Sequence, residues 1–422
     1  MSRPILIRDV EYQGEVTDLV LTAGSLQTAP AISSTDCDII EARGLVAVPA
    51  FVDIHVHFRD PGLTEKEDLL TGARAAAAGG YTTVACEPNT RPVIDSPAAV
   101  ADFYNKTTAL DIPLHVWTKG AVSIGEAGEM LTDISTLREA HIAALSDDGE
   151  PIVNSELLVK AFRAGADGTD DALVITAHCE ETPRSSSKVN AVLGDGPAMR
   201  REVEIIRLHI DALARAGVGR LHIQHVSLAE SVELIRQAKE RGLAVTAEAT
   251  PHHLLLCEED IPRTEGQLDA NWKMNPPLRS HDDMVALRRA LADGIVDVIA
   301  TDHAPHTLAE KGLGWDKAPF GIIGLETAFS ACLSLVHDGT LTFKRLIEAM
   351  SSKPLSLLPQ WAQAACRYDI ALIDPSASWT VDPNHFYSKA RNCPFTGMTF
   401  VGKVKYTICN GRVVVADDNV LF

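Results

Sequence analysis

The chain has 422 residues, 46% of them hydrophobic and 23% charged, a globular balance that excludes disordered and low-complexity architectures. Its 38 basic and 57 acidic residues leave a net charge of −19, which excludes a general nucleic-acid or anionic-membrane binder and obliges any anionic ligand to find a local cationic pocket. Eight cysteines are scattered with no CxxC pair, so a zinc ribbon or disulfide framework is not expected and the thiols are read as reduced. No run approaches the roughly 18 apolar residues of a membrane span, and the start lacks a signal-peptide pattern, so the expectation is a soluble cytoplasmic protein.

In chain order, the first 48 residues read as short strands at 5–7, 19–21 and 45–48, separated by Gly, Ser, Thr and Asp. The middle alternates. Apolar runs at 52–56, 82–86, 114–117, 142–145, 172–177, 221–223, 244–247 and 296–300 are separated by helical patterns such as 65–78, 155–164, 202–216, 228–241 and 281–292. Eight strands alternating with helices predict an α/β fold of the (β/α)8 TIM-barrel type. Strands return at 370–373, before Asp374-Pro375, and at 401–409 and 412–415 across Asn410-Gly411, a strong hairpin signal. Similar β material at both ends predicts a small β-sandwich domain built from 1–48 and 367–422, beside a barrel domain of 49–366.

The chemistry gathers at predicted strand ends. His55 and His57 lie two apart on the first strand, so both point to one face, and paired imidazoles suit a divalent metal such as zinc. Asp147 and Asp148 follow the fourth strand, His178 the fifth, His225 the sixth and Asp302 the eighth. Barrel enzymes build their sites at this C-terminal face. Four histidines and two aspartates converging there suit two metals bridged by a shared oxygen, an arrangement that generates hydroxide near neutral pH. The spacing does not separate Asp147 from Asp148, and Lys119 is the one nearby lysine that rivals them as a bridge.

Several stretches then carry a resemblance over nearly the whole chain. They are His55-Val-His-Phe-Arg-Asp-Pro-Gly62, Pro88-Asn-Thr-Arg-Pro92, Ser146-Asp-Asp-Gly149, Ala177-His-Cys-Glu180 and His225-Val-Ser227, then Thr250-Pro-His-His253, Lys273-Met-Asn-Pro-Pro-Leu-Arg279, Thr301-Asp-His-Ala-Pro-His306 and Ala318-Pro-Phe-Gly321. In this order they resemble the amidohydrolase superfamily and, within it, the bacterial two-metal dihydroorotases. The resemblance implies that His55 and His57 bind one zinc ion and His178 and His225 a second. Asp148 and a hydroxide or water bridge the two ions of each subunit, and Asp302 ligates the first while shuttling protons. It implies Arg59, Asn89 and Asn275 as carboxylate binders, His306 as a substrate contact, Phe320 and Gly321 as a backbone contact to the ring, and His252 and His253 as non-ligands near the site.

The activity so implied is reversible cyclisation of N-carbamoyl-L-aspartate to dihydroorotate, on a small-molecule substrate, in a homodimer, with association to aspartate carbamoyltransferase left open. The alternatives are another cyclic amidohydrolase, of allantoinase or dihydropyrimidinase type, or an inactive paralogue serving as a structural partner of that transferase. Against the first, the fourth strand offers no lysine for carboxylation; against the second, every ligand position is filled. The chain departs from its relatives after His178, at Thr182–Asn190 and Gly194–Pro197, and by a polar insertion at Gly165–Asp171. His303 reads as a support near the site or a structural residue, and the other histidines, His115 and His222 among them, show no partner pattern and read as ordinary.

Overall fold

The computed structural model describes residues 3–28, 37–166, 171–183, 185–193 and 200–422. Parallel strands dominate its middle: β1 (Phe51–Val56), β2 (Tyr81–Cys86), β3 (His115–Thr118), β4 (Leu145–Ser146), β5 (Val174–Ala177), β6 (Arg220–Ile223), β7 (Val245–Ala249) and β8 (Val298–Ile299). One sheet joins β1, β2 and β3; another runs β4, β5, β6, β7, β8, with Gly120–Ala121, just past β3, pairing β4 in parallel. Beyond β8, His303 bridges in parallel to Val56 at the end of β1. The two faces of β1 and β2 are wholly buried, as parallel strands covered by helices must be, which is why they read as near-continuous apolar runs.

Helices alternate with these strands, and their ends follow local chemistry. The first, Leu69–Ala78, starts later than the predicted 65 because Asp68 caps it and closes a capping box with Thr71. Its alanines, Ala73 and Ala75 to Ala77, are fully buried against the strands. Helix Arg201–Ala216 stops at Gly217, whose φ of 71° is left-handed. Helix His281–Ala292, capped by Ser280, matches its predicted span.

The two chain ends share one nine-stranded sheet. Its order is Asn419–Val420, Arg412–Ala416, Thr399–Cys409, Ile370–Thr380, Val46–Pro49, Ile5–Tyr12, Glu15–Thr22 and Ser25–Thr28, with Asp38–Glu41 pairing Ile5–Tyr12 in parallel. Ile5, Ile7, Leu19, Leu21, Ile370, Leu372 and Ile408 pack into its core. The Asn410-Gly411 hairpin forms, both residues having positive φ, 51° and 69°, as a two-residue I′ turn requires. Pro375 does not end its strand. The strand runs on to Thr380 through a bulge, where Asp374 Oδ1 accepts the N–H groups of Ser376 and Ala377 at 2.9 and 3.0 Å. Parts of the insertion at 165–171 and of the unusual 182–200 segment lie outside the described residues; helix Ser186–Leu193 lies within them. All eight cysteines are free and buried. Among the described residues no helix is long and apolar enough to cross a membrane.

Glu326 ties the two regions together. Its carboxylate accepts the N–H groups of Tyr387 at 3.0 Å and Ser388 at 3.1 Å. Burial, only partly offset by those two donors, pushes its carboxyl from 4.5 up to about 8. A folded carboxyl raised this way binds its proton more tightly than the unfolded chain does, so the native state loses stability as pH rises from about 4.5 to about 8. Glu326→Gln keeps the shape without the charge. Its stability relative to the parent is therefore expected to climb by a few kcal/mol between pH 5 and pH 8, read by urea unfolding of both proteins across that range.

Candidate metal centre

The predicted ligands meet at the C-terminal ends of the parallel strands. His55 is in β1 and His57 just beyond it; Asp148, His178, His225 and Asp302 follow β4, β5, β6 and β8. Three residues of this rim, Arg59, His225 and Asp302, have positive φ of 60°, 33° and 47°. Such backbone costs about 1–3 kcal/mol per residue and persists only where the surroundings impose it, typically at functional sites. Here it turns the chain sharply off the strand ends into the loops above.

Asp148 sits at the centre. Its Oδ1 lies 3.4 Å from His55 Nε2, 3.6 Å from His178 Nδ1 and 3.9 Å from His225 Nε2, while Oδ2 lies 3.4 Å from His57 Nε2. Asp302 Oδ1 lies 3.0 Å from His57 Nε2 and 3.5 Å from His55 Nε2. His178 Nδ1 and His225 Nε2 are 2.9 Å apart. Two groups with ligand atoms close enough for one ion each emerge, His55–His57–Asp148 and Asp148–His178–His225, and Asp148 belongs to both. His55 Nε2, Asp148 Oδ1 and His178 Nε2 are buried without a hydrogen-bond partner. Unpaired buried lone pairs are costly in an apolar interior, and a cation between His55 Nε2 and Asp148 Oδ1, 3.4 Å apart, would satisfy both. The donor set therefore fits a pair of divalent metals.

The neighbouring carboxylate faces elsewhere. Asp147 accepts the N–H groups of Val122 at 2.7 Å and Ser123 at 3.0 Å, together with the Ser123 hydroxyl. Burial raises its carboxyl to about 7, these donors notwithstanding. Lys119 is also spent, its ammonium buried against Glu87 and 3.0 Å from Thr176 Oγ1.

Below the ligands lies a polar layer that sequence reasoning missed. His55 Nδ1 is 2.5 Å from Glu248 Oε1, and the other oxygen of Glu248 is 2.9 Å from His222 Nε2. His222, read from the sequence as ordinary, thus anchors the carboxylate that orients His55, a candidate ligand. Gln224 Nε2 donates to Glu87 Oε1 at 2.8 Å, completing a buried floor with Lys119. Burial alone would lower the His55 imidazole, but Glu248, Asp148 and Asp302 outweigh it and hold it well above its ordinary value. The reverse holds for His225, which burial and the nearby His178 and His55 push down to about 3. Asp302 is held at about 2, because His55 and His57 outweigh its burial. The visible signal for this layer was a His and a Glu inside buried strands, with a Gln just past one of them.

A cavity of about 190 Å³ opens above the ligands, lined by every predicted site residue except His55, which lies beneath, and also by Gly149, Thr182 and Ala304. Among the described residues no carboxylate pairs with Arg59, whose Nε donates to Pro305 O at 3.4 Å; Asp60 pairs instead with Lys106 at 2.6 Å. Asn275 Nδ2 is buried and unpartnered. Asn89 is more committed. Its Oδ1 is 3.1 Å from His57 Nδ1, and its Nδ2 donates to Asp148 O at 3.1 Å and to Oδ2 at 3.2 Å. His306 Nε2 lies 2.7 Å from Phe320 O. Gly321, at φ 135°, leaves no room for a side chain, since a Cβ there would stand 2.6 Å from Ala304 O. His253 is tied to Thr250 Oγ1 at 2.8 Å and Pro276 O at 3.0 Å, whereas both ring nitrogens of the buried His252 lack partners.

Comparison with known proteins agrees with this geometry. Residues 44–192 match the family described as Dihydro-orotase-like. A dihydroorotase of Anaeromyxobacter dehalogenans strain 2CP-1 is 43% identical over 91% of this chain and 89% of its own. One from Brevibacillus brevis is 41% identical over 95% and 96%. Among solved structures, an L-hydantoinase (dihydropyrimidinase) from Arthrobacter aurescens superposes with a TM-score of 0.83 at 25% identity, covering 100% of this chain and 98% of its own. The dihydropyrimidinase of Brevibacillus agri NCHU1002 does so with 0.82 at 22%, covering 99% and 96%; this shows the shared fold. A parallel α/β scaffold with imidazoles and carboxylates gathered at its strand ends is that of a cyclic amidohydrolase. The chain belongs to the dihydroorotase family.

Two substitutions separate ligands from their supports. Asp148→Ala is expected to lose at least one metal equivalent per chain. Glu248→Gln should keep full stoichiometry but bind metal about 10- to 100-fold more weakly, both read by equilibrium dialysis with elemental analysis.

Proposed function

We propose that this chain is a dihydroorotase that interconverts N-carbamoyl-L-aspartate and dihydroorotate, the third step of pyrimidine biosynthesis, using two zinc ions per subunit. His55 and His57 would hold one ion, His178 and His225 the other, with Asp148 shared and Asp302 on the first. Zinc so held supplies Lewis acidity and lowers the pKa of water toward neutrality. In the same reading the parallel strands close as a (β/α)8 barrel over residues 49–366, supported by the bridge from Val56 to His303. The nine-stranded sheet is then the core of a β-sandwich domain built from 1–48 and 367–422. The active form is a homodimer, and aspartate carbamoyltransferase is the partner to test.

The observation that carries the substrate assignment is Arg59. An arginine lining the cavity with no carboxylate of its own, in a chain of net charge −19, is a ready anchor for a carboxylate ligand. Asn275 adds a buried donor with no other partner. The cavity is smaller than the roughly 300–1,000 Å³ of drug-sized sites, and a single small ring suits it. Asn89 holds His57 and Asp148 in place and presents its remaining edge to the ligand. Burial, with the charges of Arg59, Lys66 and Lys311, pushes His306 far below its ordinary value, so it stays neutral and pins the Phe320-Gly321 wall.

Proton transfer falls to Asp302. Its low pKa leaves it ionised at neutral pH, able to accept a proton from attacking water and pass it to the ring nitrogen as the C–N bond breaks. Ring closure runs the same path backwards, with Asp302, ionised at rest, taking up a proton from solvent and passing it on. Hydrolysis is therefore expected to be favoured at alkaline pH and cyclisation at acidic pH, read as kcat/KM profiles in both directions; identical profiles would remove Asp302 from this role.

Arg59→Met tests the substrate. Losing a buried arginine–carboxylate contact costs about 2–5 kcal/mol, which is roughly 30-fold to several thousandfold in kcat/KM for dihydroorotate. Metal content should stay unchanged, and turnover of a neutral cyclic imide should fall far less. Equal losses on both substrates would make Arg59 a structural residue. Preference of the parent enzyme for the imide would overturn the assignment in favour of a dihydropyrimidinase-type activity.

A further inference from the structure

A third group of metal-ligating side chains lies away from the reaction site, where the terminal sheet meets the start of β3. His115 opens β3, Asp369 directly precedes Ile370–Thr380, and Cys409 ends Thr399–Cys409. All three are buried, Cys409 completely, and their ligand atoms all lie within 4.8 Å of one another. His115 Nε2 stands 3.2 Å from Asp369 Oδ2, and Cys409 Sγ stands 3.4 Å from that same oxygen. Four-coordinate zinc with arms of about 2.0–2.3 Å has ligand–ligand edges of about 3.3–3.8 Å, so both separations are close to edges of such a site.

The simpler reading is a histidine–carboxylate ion pair with the Cys409 thiol donating a hydrogen bond to Asp369 Oδ2. Against it, the His115–Asp369 contact lacks hydrogen-bond geometry, and His115 Nε2 is a buried nitrogen without a hydrogen-bond partner. Asp369 Oδ1 is already occupied by the Asn410 N–H at 2.8 Å, which fixes the carboxylate with Oδ2 turned toward the imidazole and the sulfur. The His115 ring is in turn backed by Trp117, stacked at 5.8 Å and 24°. Three donors of the nitrogen, oxygen and sulfur types that zinc accepts thus lie within 4.8 Å of one another, the carboxylate and the imidazole each with a support of its own.

We infer that His115, Asp369 and Cys409 form a binding site for a zinc-class divalent cation that fastens the terminal sheet to the base of β3. Binding displaces the Cys409 proton to solvent and leaves a thiolate–metal bond, so occupancy rises with pH. The site is independent of catalysis, since its ligands lie at the strand start and the reaction centre lies at the strand ends.

Sulfur makes the test selective, because no proposed ligand of the catalytic centre is a thiol. The full chain loaded with Co²⁺ is expected to show a thiolate-to-cobalt charge-transfer band in the near ultraviolet. The band should persist in Asp148→Ala, which disables the catalytic centre, and disappear in Cys409→Ser. His115→Gln, which keeps the sulfur, should lower cobalt affinity at this band by about tenfold or more. Should Cys409→Ser not fold, titration of His115→Gln alone decides. A cobalt-loaded parent without the band would overturn the inference, as would a band lost in Asp148→Ala or one of unchanged affinity in His115→Gln.

Discussion

One carboxylate, Asp148, stands among four imidazoles within a buried floor, its oxygens 3.4 to 3.9 Å from their nearest nitrogens. Neither the carboxylate nor the histidines can be left there by themselves. Desolvation penalises each charged form by several kcal/mol, and the unpaired lone pairs add to that cost. The rest of the site is arranged around this concentration of donors. Glu248 and His222 fix one ring, Asn89 fixes another, and Lys119 with Glu87 and Gln224 supplies opposite charge and hydrogen bonds beneath.

The support for His55 comes from within strands, and the rest from residues at or just past strand ends. Alternation along β6 puts Leu221 and Ile223 on one face and His222 and Gln224 on the other, and β7 adds Glu248 between two alanines, Ala247 and Ala249. A strand holds side chains more rigidly than a loop, and a ligand's orientation depends on its second partner. Arg59, Asn275 and the Phe320-Gly321 wall are loop contributions; the ligands are strand-end contributions.

Much of this was legible beforehand because the signals were chemical. Histidines two apart on an apolar run, and acids or histidines placed just after other apolar runs, can meet only if the runs are parallel strands with aligned ends. Asp147 and Asp148 could not be separated this way, because adjacent residues at a strand end differ only in which way the chain turns. The Ser123 loop decides it by occupying Asp147. His222 and Glu248 went unread because a polar residue within a buried strand does not reveal locally what it pairs with; its partner lies on a neighbouring strand, more than twenty residues away in sequence. Short strands such as Ser25–Thr28 and Asp38–Glu41 were missed for a related reason. They have little apolar periodicity and exist because Glu15–Thr22 and the first half of Ile5–Tyr12 offer them open backbone to pair with.

The same sheet has a consequence for synthesis. Val46–Pro49 pairs with Ile370–Ile373, more than three hundred residues later. At roughly 5–20 residues per second, a ribosome takes on the order of tens of seconds to deliver that partner. The amino-terminal strands emerge first and must wait with an unsatisfied edge, so this region completes last, and holding that edge apart from neighbouring nascent chains is a kinetic requirement of making the protein.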